Sequence, residues 1–134
     1  MEEQTLSSRS VPEQHGGGLS CAQARESARA VLDGLHLPSV VMDNVLIVVS
    51  EMVSNADRHA GGATGFQVTA GVCTITVELS DHSTTPPRIQ PWAPDEPGGF
   101  GWRLVNQLAA TDVRIHHGGK TITAVLTFAP TGQL

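Results

Sequence analysis

The spacing of apolar residues in this chain changes at fixed points, and those changes limit the fold more than any other feature of the sequence. Over residues 19–60 they recur at helical intervals. Past Gly61-Gly62 they alternate, as on a half-buried strand. A short helical stretch follows Gly98-Gly99, and alternation then returns. In the first helical stretch Ser20 reads as an N-cap, and Cys21, Ala24, Ala28, Val31, Leu32 and Leu35 make one apolar stripe that Gly34 and Pro38 close. A second helix over 39–60 buries Val41, Val45, Val48, Val49, Met52, Val53 and Ala56 and stops at Gly61-Gly62.

Alternation over 74–79, with an earlier run at 66–70 and a turn at Gly71-Val72, predicts a hairpin. The pattern vanishes over 85–97, where Pro86, Pro87, Pro91, Pro94 and Pro97 remove backbone donors and forbid helix interiors and central strands. A loop of that length inside a compact domain is usually functional or mobile. A helix over 102–110 buries Val105, Leu108 and Ala109. Two closing strands, 112–117 and 121–128, join at Gly118-Gly119, with Ile122, Ala124, Leu126 and Phe128 on one side. Clustered antiparallel strands with helices on one face make an α+β sandwich.

At 134 residues the chain has the length of one domain. Residues 1–18 read as a polar, flexible leader ending in Gly16-Gly17-Gly18, or as one that holds a short edge strand around Val11. The domain proper is expected over 19–129, with 130–134 as a tail. No uninterrupted apolar run approaches the roughly 20 residues of a membrane span, and no secretory signal is visible. A net charge of −5 argues against a broad nucleic-acid face and against anionic membranes. Cys21 and Cys73 suggest neither a metal pair nor a disulfide framework, so a cytoplasmic setting is expected.

Four features can carry chemistry, and each has a plain structural alternative. Glu51 and Asn55 are four apart and share a helix face with Asn44 and Arg58, which is also how a merely solvated face looks. Asp81 ends a strand, where it serves either as the floor of a cleft or as a turn residue. Gly99-Phe100-Gly101 opens a helix whose free N–H groups suit a phosphate, although glycine there can be loop geometry alone. Lys120-Thr121 follows a hairpin turn from which the threonine hydroxyl can face a ligand.

Taken in order, these features resemble the ATP-binding domain of the GHKL superfamily, which includes histidine kinases and gyrase. Within it the chain looks most like the small bacterial anti-sigma-factor serine/threonine kinases. The residues from Val48 to Ala60 (VVSEMVSNADRHA) resemble that family's N-box, Asp81-His82-Ser83 its shortened G1 box, Gly99 to Val105 (GFGWRLV) its G2 box, and Gly119-Lys120-Thr121 its last threonine-bearing turn. The resemblance covers residues 19–128. It implies a two-layer α/β sandwich of the GHKL (Bergerat) type, with a mixed, mostly antiparallel sheet and helices on one face.

It also implies roles. Glu51 would be the general base, Asn55 would hold Mg2+, and Asp81 would accept from the adenine amino group of ATP, with Ser83 beside it. The backbone of Gly99, Phe100, Gly101 and Trp102 would close over the phosphates under a proline-rich lid, and Thr121 would help at the base edge. The implied partners are a sigma factor and an anti-sigma-factor antagonist protein, with no direct nucleic acid and no membrane, and a homodimer is possible. Three departures stand out: His82-Ser83 replaces a glycine-containing DxGxG, Trp102 replaces leucine, and Asp57 replaces an apolar residue. They keep a second reading open, a catalytically inactive ATP-binding or protein-binding module of the same fold.

Overall fold

The computed structural model describes residues 7–11, 18–87 and 101–129. Its order is β1 (Ser7–Val11), α1 (Cys21–Leu32), a 3-10 turn (Asp33–Leu35), α2 (Ser39–His59), β2 (Ala63–Gly71), β3 (Thr74–Asp81), α3 (Gly101–Leu108), β4 (Ala110–His116) and β5 (Gly119–Thr127). The strands form one sheet in the order β1-β2-β3-β5-β4. Every pairing among the described residues is antiparallel, so the parallel pair of the expected mixed sheet is not among them. The three helices pack on this sheet: α1 on β1 and β2, α2 on β2 and β3, and α3 beside β4 and against α2.

Each element forms for a local reason. The Ser20 hydroxyl accepts the Gln23 N–H at 3.1 Å and the Gln23 side chain accepts the Ser20 N–H at 3.0 Å, a complete capping box. Helix α2 ends where Gly61 turns left-handed at φ 74° and the Gly62 N–H reaches back to the Ala56 carbonyl at 2.9 Å. The hairpin turn falls on Val72-Cys73, one residue later than the spacing predicts, with Cys73 at φ 60°. The last turn likewise sits one residue earlier, with His116 paired to Gly119.

Helix α2 supplies the centre of the core. Val45, Val48, Val49 and Val53 are fully buried against Val68, Val77, Ala124 and their neighbours on the sheet's inner face. At 21 residues and mean hydropathy 1.3, α2 is long and apolar enough to span a bilayer. Here its apolar stripe lies in the core instead. Asp57, which stands where the resemblance has an apolar residue, faces solvent, because its position falls off the buried stripe.

Of the two readings of residues 1–18, the described residues match the edge strand: Ser7–Val11 pairs antiparallel with Ala70 to Phe66 of β2. An edge strand needs only a backbone ladder on one side, and so it leaves a weak side-chain pattern. Residues 130–134 lie outside the described residues.

Candidate functional site

The polar side of α2 meets the start of α3. Glu51 and Asn55 lie one turn apart on α2 and are both half-buried, while Val48, Met52 and Ala56 on the neighbouring stripe are buried. Gly101, the first residue of α3, is buried beside them. A Cβ there would lie 2.5 Å from Glu51 Oε2 and 3.8 Å from an Arg58 guanidinium nitrogen. Only glycine therefore lets the helix start approach this carboxylate so closely. The N–H groups in the first turn of a helix have no intrahelical partners and carry a positive partial charge. Such a terminus suits an anionic chain, and a carboxylate–amide pair suits a cation.

Glu51 also lines a groove of about 590 Å³ together with Arg25, Arg29, Asp43, Leu46, Ile47, Ser50 and Leu104. The Arg25 guanidinium donates to the Ser50 hydroxyl at 3.1 Å, which ties α1 to α2 along the groove.

The third part lies at the end of the sheet. Asp81 is the last residue of β3 and is 2% exposed. Its Oδ1 accepts the Ser83 N–H at 2.9 Å and the Lys120 ammonium at 3.0 Å. The Lys120 Nζ lies a further 3.5 Å from the Ser83 carbonyl. Both members of the ion pair are almost fully buried, at 5% and 1% side-chain exposure for Lys120 and Asp81. Gly119 makes this possible: a Cβ there would run into the Asp81 carbonyl, so only glycine lets the start of β5 lie against the end of β3.

The register decides which side chains share this corner. In an antiparallel ladder, directly opposed residues point to the same face. Asp81 opposes Lys120, and Lys120 opposes Ile115. Ile115 therefore belongs to the helix-facing side of the sheet, yet it is 46% exposed. The exposed Ile115 thus stands in one row with Lys120 and the buried Asp81 on the inner face.

Thr121 is not brought there. It opposes Ser80, so its side chain lies on the outer face, where its hydroxyl pairs with Ser80 Oγ at 2.9 Å and with His116 Nε2 at 3.1 Å. The base-edge role expected of Thr121 is corrected accordingly, and Lys120 occupies the inward position next to Asp81. Alternation could have shown this, because Lys120 has the same parity as Ile122, Ala124 and Leu126. The same parity argument points to Ile115.

Ser83 acts through Asp81, which its N–H holds, while its hydroxyl accepts the Thr85 N–H at 3.1 Å. Trp102 joins the hydrophobic core with Val105, so its bulk is absorbed there, and any contact it makes with a ligand falls to its backbone. His59 is exposed. Gly99, Phe100 and loop residues 88–97 lie outside the described residues.

The residues present fit a magnesium nucleotide. At Gly101 a Cβ would run against the Glu51 carboxylate, so this helix start offers backbone N–H groups beside a carboxylate. Mg2+ takes few protein ligands and keeps several waters, so the Asn55 amide oxygen beside Glu51 meets its need. A dedicated cage is not called for, and no cluster of three or more His, Cys, Asp or Glu side chains occurs among the described residues. A family profile described as "Histidine kinase-like ATPase domain" matches residues 20–126. No curated protein matches the chain.

Proposed function

The chain belongs to the histidine kinase-like ATPase family, whose profile covers most of its length and whose fold binds ATP, and on that premise we propose that it is a Mg2+-dependent serine/threonine protein kinase of the anti-sigma-factor type, acting in the cytoplasm. The observation that carries this reading is the meeting of Glu51 with Gly101, with Asn55 one turn along the same helix.

In this reading Asn55 holds Mg2+, and the metal, when bound, neutralises charge on the phosphate chain. The N–H groups of the first α3 turn hold phosphate oxygens. Glu51 accepts the proton of an attacking serine or threonine hydroxyl. That hydroxyl belongs to an antagonist protein approaching along the groove that Glu51 lines with Arg25, Arg29, Leu46 and Ile47. Asp81 accepts from the exocyclic amine of the base, and Ile115 packs on the ring. A sigma factor is the alternate partner, released or captured as the antagonist changes its phosphorylation state.

Calorimetric titration with Mg-ATP, followed by γ-phosphate transfer to a candidate antagonist protein, tests this. Glu51→Ala should retain nucleotide binding and lose transfer, whereas Asn55→Ala should lose Mg-dependent affinity. Equal transfer by Glu51→Ala would remove Glu51 as the base. Mg-ATP at 100 times its dissociation constant should stabilise the fold by about 2.7 kcal/mol. The buried Lys120–Asp81 pair, which already engages the base-recognising carboxylate, favours a second reading, a binding module without turnover. A thermal shift with Mg-ATP but no transfer would select that reading.

A further inference from the structure

Lys120 is the one described residue of the base corner for which neither the family roles nor the proposed transfer has a use. It is the only lysine in the chain, and it is buried. It sits on the sheet face that carries Asp81 and the exposed Ile115. A carboxylate has two oxygens and about four acceptor sites, two on each oxygen. Oδ1 of Asp81 already accepts two donors, the Ser83 N–H at 2.9 Å and the Lys120 ammonium at 3.0 Å. Its acceptor capacity is spent.

We propose that Lys120 is a specificity-determining residue of the base pocket: by saturating Oδ1 it reduces Asp81 to a single-oxygen acceptor, which suits adenine and denies guanine its two-point grip. The inference rests on the nucleotide-binding reading above and deepens it. Adenine offers the pocket one exocyclic N–H, which a single carboxylate oxygen can accept. Guanine offers two parallel donors, N1–H and N2–H, and a free carboxylate would take both side by side, as it takes the fork of an arginine. With Oδ1 filled, the second donor of guanine finds no acceptor on Asp81 and gains nothing there.

Lysine suits this role better than the threonine expected at the turn. Its ammonium reaches across the ladder to the opposed carboxylate and donates to it directly, without a water in between. Lys120 here is a positioning residue for Asp81, and its effect is read in selectivity among bases.

The test is competitive binding of Mg-ATP, Mg-GTP and Mg-ITP, inosine being guanine without the N2 amine. For the unmodified chain the expected order is ATP tightest, with GTP and ITP equal within about twofold, since the N2 amine gains nothing. In Lys120→Met, Oδ1 is freed, and GTP should gain about tenfold over ITP, the value of one added hydrogen bond to a charged acceptor. Lys120→Arg should restore the original ratio. A tenfold preference of the unmodified chain for GTP over ITP would overturn the proposal, as would an unchanged ratio in folded Lys120→Met. If Lys120→Met does not fold, the GTP-to-ITP ratio of the unmodified chain decides alone. Failure of all three nucleotides to bind would instead sink the nucleotide reading itself, and this inference with it.

Discussion

Gly101 and Gly119 both sit where a Cβ has no room, but what stands in the way differs, and the consequences differ with it. At Gly101 the obstacle is Glu51 Oε2, the tip of a side chain that can swing aside. Gly101→Ala should therefore leave stability within about 1 kcal/mol, because alanine also favours the helix by about that amount. It should nevertheless abolish transfer by displacing the carboxylate, a difference that urea melts and phosphotransfer assays will separate. At Gly119 the obstacle is the Asp81 backbone carbonyl, which cannot rotate away without breaking the ladder. Gly119→Ala should destabilise by about 3 kcal/mol or more and disrupt the base corner as well. Lys120→Met leaves a buried carboxylate without its cation and should cost about 3–5 kcal/mol in the same melts. Much less would mean that water reaches Asp81 in the folded chain.

At the scale of elements, α2 sets the geometry of the site because it serves two purposes with two stripes. One stripe (Val45, Val48, Val49, Met52, Val53 and Ala56) fixes its rotation on the sheet, and that rotation fixes where Glu51 and Asn55 point. Helix α1 holds α2 from outside, and it depends on its first turn. Ser20→Ala removes one half of the capping box and should lower stability by about 1 kcal/mol, measured by thermal melting with the mean α2 burial unaltered. Leu32, at the far end of α1 and fully buried, is a stronger probe: Leu32→Ala should cost about 2–5 kcal/mol through the cavity it leaves. A smaller loss would show that the α1–α2 contact can collapse.

At the scale of the whole molecule, the sheet has two edge strands among the described residues, β1 and β4. Strand β1 covers the backbone edge of β2, while β4 forms the opposite edge next to the base corner. Removing residues 1–17 should leave the core intact but uncover that edge. Hydrogen exchange should then accelerate at every second amide over 66–70, those that face β1 across the ladder, and not at the others. Unchanged protection along β2 would mean that β1 does not stabilise its neighbour in solution.

The amino-acid sequence by itself determined the kind and order of the elements, since helical and strand periods are local properties set by each segment's own residues. It placed Glu51 and Asn55 on one helix face, and its alternation already gave Lys120 the parity of the core residues of β5, although the threonine beside it drew attention first. Strand β1 was poorly legible because a ladder of backbone hydrogen bonds leaves little mark on side-chain pattern. Only the tertiary structure decided that β3 pairs with β5 across 39 residues of chain, so that Lys120 rather than Thr121 reaches Asp81, and that Gly101 lies against Glu51. Contacts between residues so far apart depend on how whole elements pack and on which register fills the core, and no local spacing encodes that.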